Sequence, residues 1–137
     1  MSIVQTQCTS FKVELYEGIH NFLTDTFKIA LYTANAQLDN TTTIYTTIGE
    51  VVGTGYVAGG QALTGVTINA SDTTAYVSFN NAVWTNCNLT ARAALIYNAA
   101  KGNRAVAILD FGSDKTATGT LTLVMPANTA TTALIRS

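Results

Sequence analysis

Charge is the first thing this sequence lacks. Only 11% of its 137 residues are Asp, Glu, Lys or Arg, less than half of the roughly 25% usual in soluble domains. The seven basic residues are scattered without a run, whereas a nucleic-acid binder carries a basic stripe. Nucleic acid is therefore not an expected partner. There is one histidine, His20, so any Ser-His-Asp or Cys-His pair would have to use it. It follows a predicted helix end, where histidine caps the helix or faces solvent. The two cysteines, Cys8 and Cys87, stand far apart with no CxxC or His/Cys cluster, which leaves no recognisable zinc site. No apolar run approaches the ~18 residues of a membrane span. Met1-Ser2-Ile3-Val4-Gln5 has no basic start leading into an apolar stretch, as an export signal would. These absences predict synthesis in a cytoplasm, free thiols, no metal, no cofactor and no membrane partner.

What is present is apolar and neutral-polar. The hydrophobic fraction is 47%, and a chain of this length buries a core without disulfides. Thr, Asn and Ser must then cover the surface. A surface with few charges repels its neighbours weakly, which suits a protein that packs against copies of itself or against a partner.

The patterning is mostly β. Phe27, Ile29 and Leu31 alternate with Thr26, Lys28 and Ala30. Similar alternation runs through Val66 and Ile68, through Ala75, Val77 and Phe79, and through Leu121, Leu123 and Met125. A period of two sends one set to a core and the other to solvent or a partner. The stretches 89–97 and 105–109 read as apolar on both faces, as in strands at the centre of a structure. Asn98 to Asn103 reads as a hairpin connection. Other turn signals fall at Asp39-Asn40, Gly53 to Gly60, Ser71-Asp72, Asn80-Asn81, Gly112-Ser113-Asp114 and Pro126-Ala127-Asn128. Before the strands, Ser10 to Gly18 reads as a short helix, with Ser10 as cap and Gly18 as stop. The expected architecture is all-β: an antiparallel sandwich of jelly-roll or Ig-like type over residues 25–137, preceded by an N-terminal arm and short helix over 1–24.

Few residues point to chemistry. Most of the acids sit at predicted turns, where Asp caps backbone groups, although a glycosidase pair of facing carboxylates is not excluded by sequence. The run from Gly53 to Gly60 has neither the following helix of a dinucleotide fingerprint nor a Gly-Lys-Ser/Thr ending, so it reads as a loop or a bulged strand. Trp84, the only tryptophan, has two readings: a sugar-stacking platform, or more commonly a core residue. Lys28 and Lys115 lie in or near strands and are candidates for an isopeptide cross-link to Asn or Asp. No catalytic residue is assigned, and an enzyme is the weakest reading.

Several segments resemble one another's context in a known group. Phe27-Lys28-Ile29-Ala30-Leu31-Tyr32-Thr33, Tyr45 and the run Gly49 to Gly60 come first. Ala91 to Asn98, Asn103 to Ala107 and Leu109-Asp110-Phe111-Gly112 follow. Together they resemble a pattern found in small structural proteins of tailed bacteriophages, over residues of about 25 to 125. The resemblance implies a virion component on the capsid surface, made in the host cytoplasm. It would be a cement or decoration protein that stabilises the head at junctions between major capsid proteins, with copies of itself as further partners. The alternative is a tail- or fibre-associated module that recognises host surface glycans, with Trp84 as its contact. Phe11, Leu15 and Ile19, at helical spacing, are the candidate docking interface. The same stripe equally fits a lid that closes one open end of the sandwich.

Overall fold

The computed structural model describes residues 3–136; Met1, Ser2 and Ser137, at the ends of the expected arm and sandwich, lie outside it. Two antiparallel sheets pack together, so the expected all-β sandwich with a short helix is the fold. In chain order the elements are β1 (Thr6–Gln7), α1 (Thr9–Tyr16), β2 (Phe27–Tyr32), β3 (Gln61–Ala62), β4 (Thr67–Ser71), β5 (Thr74–Ser78), β6 (Ala82–Asn98), a 3-10 turn (Ala99–Lys101), β7 (Arg104–Leu123) and β8 (Ile135–Arg136). The larger sheet has the order β1-β7-β6-β2-β3, and the smaller one β4-β5-β8.

The β6–β7 hairpin is the frame. Its connection forms as the sequence predicts: the Asn98 side chain accepts from the Ala100 N–H and caps the 3-10 turn, and Gly102 and Asn103 reverse the chain with positive φ. The proximal half is covered on both faces. Residues 93–98 and 105–109 are all buried, with β2 pairing along β6 from Ala93 to Asn98. Thr90 and Arg92 are not buried, so full burial starts later in β6 than expected. In the distal half one face stays inside, with Ala82, Trp84, Cys87, Leu89 and Ala91, while Val83, Thr85, Asn88 and Thr90 face out.

Straight, a strand of 17 residues would extend about 55 Å. Yet Phe79, just before β6 begins, has its ring 6.1 Å from that of Phe27, whose backbone pairs with Asn98 at the opposite end. The ribbon therefore curls back over itself. Three register breaks allow this, at Asn86, at Arg92 and between Ile96 and Tyr97, because an unpaired residue bends and twists a strand. The largest break corrects an expectation. Gly112-Ser113-Asp114 is not a chain reversal. Ala91 pairs with Lys115 and Ala93 with Asp110, so Phe111 to Asp114 bulge out opposite Arg92 within one strand.

The irregular segment 49–62 covers the outer edge of β2. The Val51 N–H donates to the Leu31 carbonyl, and the Thr33 N–H to the Gly49 carbonyl. Gly60 is needed there: its φ is +76°, and a Cβ would lie 1.8 Å from the Ile29 oxygen. The small sheet packs over the proximal half, where Val77, Phe79, Met125, Leu134 and Ile135 close on Ile96. Its outer strand β4 is exposed at every residue, so Ile68 does not enter the core as expected, while Val66, just before the strand, packs partly against it.

Helix α1 is too short to be stable alone. It is held by its inner face, with Phe11 and Glu14 buried. It ends at Gly18 as predicted, in a Schellman arrangement: the Gly18 N–H donates to the Leu15 carbonyl and the Ile19 N–H to the Glu14 carbonyl. Its start differs from expectation. Ser10 lies inside the helix and Cys8 is the N-cap residue, fixed by its N–H bond to the Val106 carbonyl of β7.

Candidate functional site

Two buried polar clusters and one exposed face are the places where function could reside. The first cluster joins α1 and the segment after it to the closed end of the hairpin. Arg104 donates to Glu14 Oε2 at 2.8 Å, and Glu14 Oε1 lies 2.8 Å from His20 Nε2. His20 Nδ1 is 3.0 Å from Asn98 Nδ2, which also donates to Asp25 Oδ2 at 2.9 Å. Lys101 donates to both oxygens of Asp25. The Asn98 amide is oriented by the Ala100 N–H on its oxygen, so Nδ1 of His20 accepts and Nε2–H donates to Glu14. Burial alone would raise the Asp25 carboxyl, but hydrogen bonds from Lys101, Asn98 and the Asn21 N–H outweigh it and bring the group down to about 2. The His20 side chain is 0% exposed. It is thus neither the surface residue nor the helix cap that the sequence predicts, and a substrate has no access to it.

The second cluster surrounds Glu50, which is buried beside β2. Tyr45 Oη donates to Oε1 at 2.6 Å, while Tyr56 Oη and the Gly59 N–H both donate to Oε2. Tyr56 Oη in turn accepts from the Leu31 N–H, and Tyr97 Oη donates to the Gly59 carbonyl at 2.6 Å. Burial first, and the bond to Glu50 second, push the Tyr45 and Tyr56 hydroxyls well above the usual phenol range. These protons stay on oxygen, and the cluster ties the 45–60 segment to β2 and β6. Every buried side-chain nitrogen or oxygen among the described residues has a hydrogen-bond partner.

The residues singled out by sequence are placed apart. Phe11 is fully buried, with its ring 6.0 Å from Phe22, which stacks on Phe27 at 4.4 Å. It is core and offers no surface to a partner, which corrects its place in the docking stripe. Leu15 and Ile19 are half-buried against the same core region or the groove beside it. Trp84 is 5% exposed and packs near Tyr56. As a glycan contact it is corrected too, because its side chain is buried, with the Tyr56 ring 6.3 Å away, and offers no stacking face to a sugar. Cys8 and Cys87 are free and buried, as expected. Burial, with Asp39 and Glu14 adding, pushes the Cys8 thiol up to about 12, which makes it a poor nucleophile. Lys28 stands opposite Tyr97 and Ala62, and Lys115 opposite Ala91. Neither has an Asn or Asp partner among the described hydrogen bonds.

The outward threonines that the alternation around Leu121 and Leu123 predicts form one exposed face with β6, whose share of it the sequence does not reveal. Val83, Thr85, Asn88 and Thr90 of β6 pair across with Thr122, Thr120, Thr118 and Thr116 of β7, and all eight are exposed. The signal was available: Thr116, Thr118, Thr120 and Thr122 alternate over the longest such run in the chain. Among the described residues no helix is long and apolar enough to cross a membrane. Comparison with family models, with curated proteins and with solved structures returns no match.

Proposed function

We propose that this chain is a virion structural protein, a cement or decoration protein that binds at junctions between major capsid proteins of a tailed phage. The observation that carries the reading is the distal face of the β6–β7 hairpin, four cross-strand pairs of Thr, Asn and Val without a charge. Burying such a face against a partner strips no ion of water, which is the main cost of polar interfaces. The Thr hydroxyls can still bond across the contact, and their methyl groups pack. A protein of this kind binds the assembled shell and not its loose parts, and so stabilises the shell by mass action. Each contact can be modest, because many identical copies act together.

Support also comes from how the buried polar groups are used. Glu14, His20, Asn98 and Glu50 are engaged with one another or with tyrosines and backbone, and so serve to hold loops on the sandwich. The test is the copy number of this chain in purified virions, measured by quantitative mass spectrometry against the major capsid protein. A number comparable to that protein supports the cement role. A handful of copies moves the chain to the tail and overturns cement. Absence from virions overturns the whole reading.

A further inference from the structure

The distal half of β7 has an open edge. β1 pairs with β7 only at Ala107 and Ile108, and from Ser113 to Leu123 no backbone partner stands on that side among the described residues. The direction of its backbone groups is set across the hairpin. The Asn88 N–H donates to the Thr54 carbonyl at 3.0 Å, so it points away from β7. In an antiparallel ladder such a residue belongs to a non-hydrogen-bonded pair, and so does the residue opposite. That residue is Thr118. Thr116, two positions along, has the same orientation. Its Oγ1 comes within 3.0 Å of that of Thr90, as expected of the closer, non-hydrogen-bonded kind of pair. The N–H and C=O groups of Thr116 and Thr118 therefore aim out of the sheet.

Natural edges are blunted by charge, proline or a bulge. From Thr116 to Val124 this one has no charged residue and no proline; the β7 bulge of Phe111 to Asp114 ends just before it, and the bulge residue Asn86 is on β6, the other strand. A concave strip of about 330 Å³ runs beside it, lined by Phe111, Lys115, Leu121, Leu123 and Val124. An edge with free backbone groups and an apolar pocket alongside is the geometry of strand addition.

We infer that this edge docks a second copy of the chain, β7 against β7 in antiparallel register about a two-fold axis through Ala117. Thr116 of each copy then lies opposite Thr118 of the other, and their outward N–H and C=O groups satisfy one another in both directions. The edge is thus its own complement, as an isologous contact requires. Alanine on the axis leaves room for its twin. About the axis the uncharged residues Thr116 to Thr118 face one another, Lys115 lies opposite Gly119 and Asp114 opposite Thr120 of the other copy, and a net charge of −1 per chain adds little repulsion. Closure removes the open edge from both copies. The inference rests on the proposed function only in taking copies of the chain as neighbours.

Sedimentation velocity of the isolated chain over a wide concentration range tests it. The wild type is expected to form a dimer. Thr118→Pro is expected to be monomeric with unchanged far-UV circular dichroism, because the N–H it removes faces the open edge and proline is tolerated there. Thr118→Lys, which sets like charges near the axis, gives the same result if the proline variant fails to fold. Val83→Lys, on the β6 side of the face, stays dimeric. A wild type that remains monomeric, or a dimer that survives Thr118→Lys, overturns the inference. A dimer lost on Thr118→Lys in a protein absent from virions keeps the inference and overturns the virion reading instead.

Discussion

At the scale of single residues, the polar interior works as a set of clamps. Glu50 receives three donors, from Tyr45, Tyr56 and Gly59, and has no cation among its described partners. Glu50→Ala strands two tyrosine hydroxyls and a backbone N–H in a buried site. At about 1–3 kcal/mol per stranded group, with partial relaxation, the expected loss is about 2–5 kcal/mol, read as a fall in the urea midpoint. Glu50→Gln keeps acceptor capacity on one atom and is expected to lose less. Asp25 makes a pH prediction. Its folded-state carboxyl is held near 2, below the ordinary 3.8, so its contribution is present above the ordinary value and is lost as pH falls from about 4 towards 2. Urea midpoints measured through that window should fall for the wild type and fall less for Asp25→Asn. An equal slope in the two proteins would remove Asp25 as the cause.

At the scale of elements, the legible parts were those whose signal is local. The helix stop at Gly18 and the Asn98–Asn103 connection depend on neighbours in sequence, and they stand; the alternation of β2 does not, since Ala30 and Tyr32 are buried as fully as Ile29 and Leu31. What was misread depends on distant partners. Gly112-Ser113-Asp114 has turn chemistry, but β6 continues to pair on both sides of it, so the chain extrudes a bulge instead of reversing. His20 was read as a surface or cap residue because nothing near it in sequence shows that Glu14 and Asn98 converge on it. Ile68 was read as inward because alternation does not reveal that β4 has no layer beneath it. The docking stripe and the glycan contact share that difficulty: whether the rings of Phe11 and Trp84 are covered depends on how the ribbon curls, and both are buried. The reading of a strand covered on both faces does survive at Ala94, which is 0% exposed between Leu31 of β2 and Leu109 of β7. Ala94→Asp places an unpaired carboxylate there. Its cost exceeds about 4 kcal/mol, and the variant is expected to lack a cooperative unfolding transition by circular dichroism.

At the scale of the whole molecule, one ribbon makes most of the fold, and everything else is added to it. β2, the 49–62 segment, α1 and β1 all rest on β6 or β7, although all but these two long strands and β8 come earlier in the chain. Central placement of a late strand has a consequence for synthesis on the ribosome. Residues before Arg104 have only half of their ribbon to fold against, with Phe11 and Cys8 waiting for a wall that has not yet been made. A nascent chain stopped ahead of β7 is expected to be cut readily by a protease throughout its length. One stopped well after Leu123 should resist. Between those lengths β6 has only part of its partner, so a pause in translation inside β7 leaves the apolar faces of β6 uncovered.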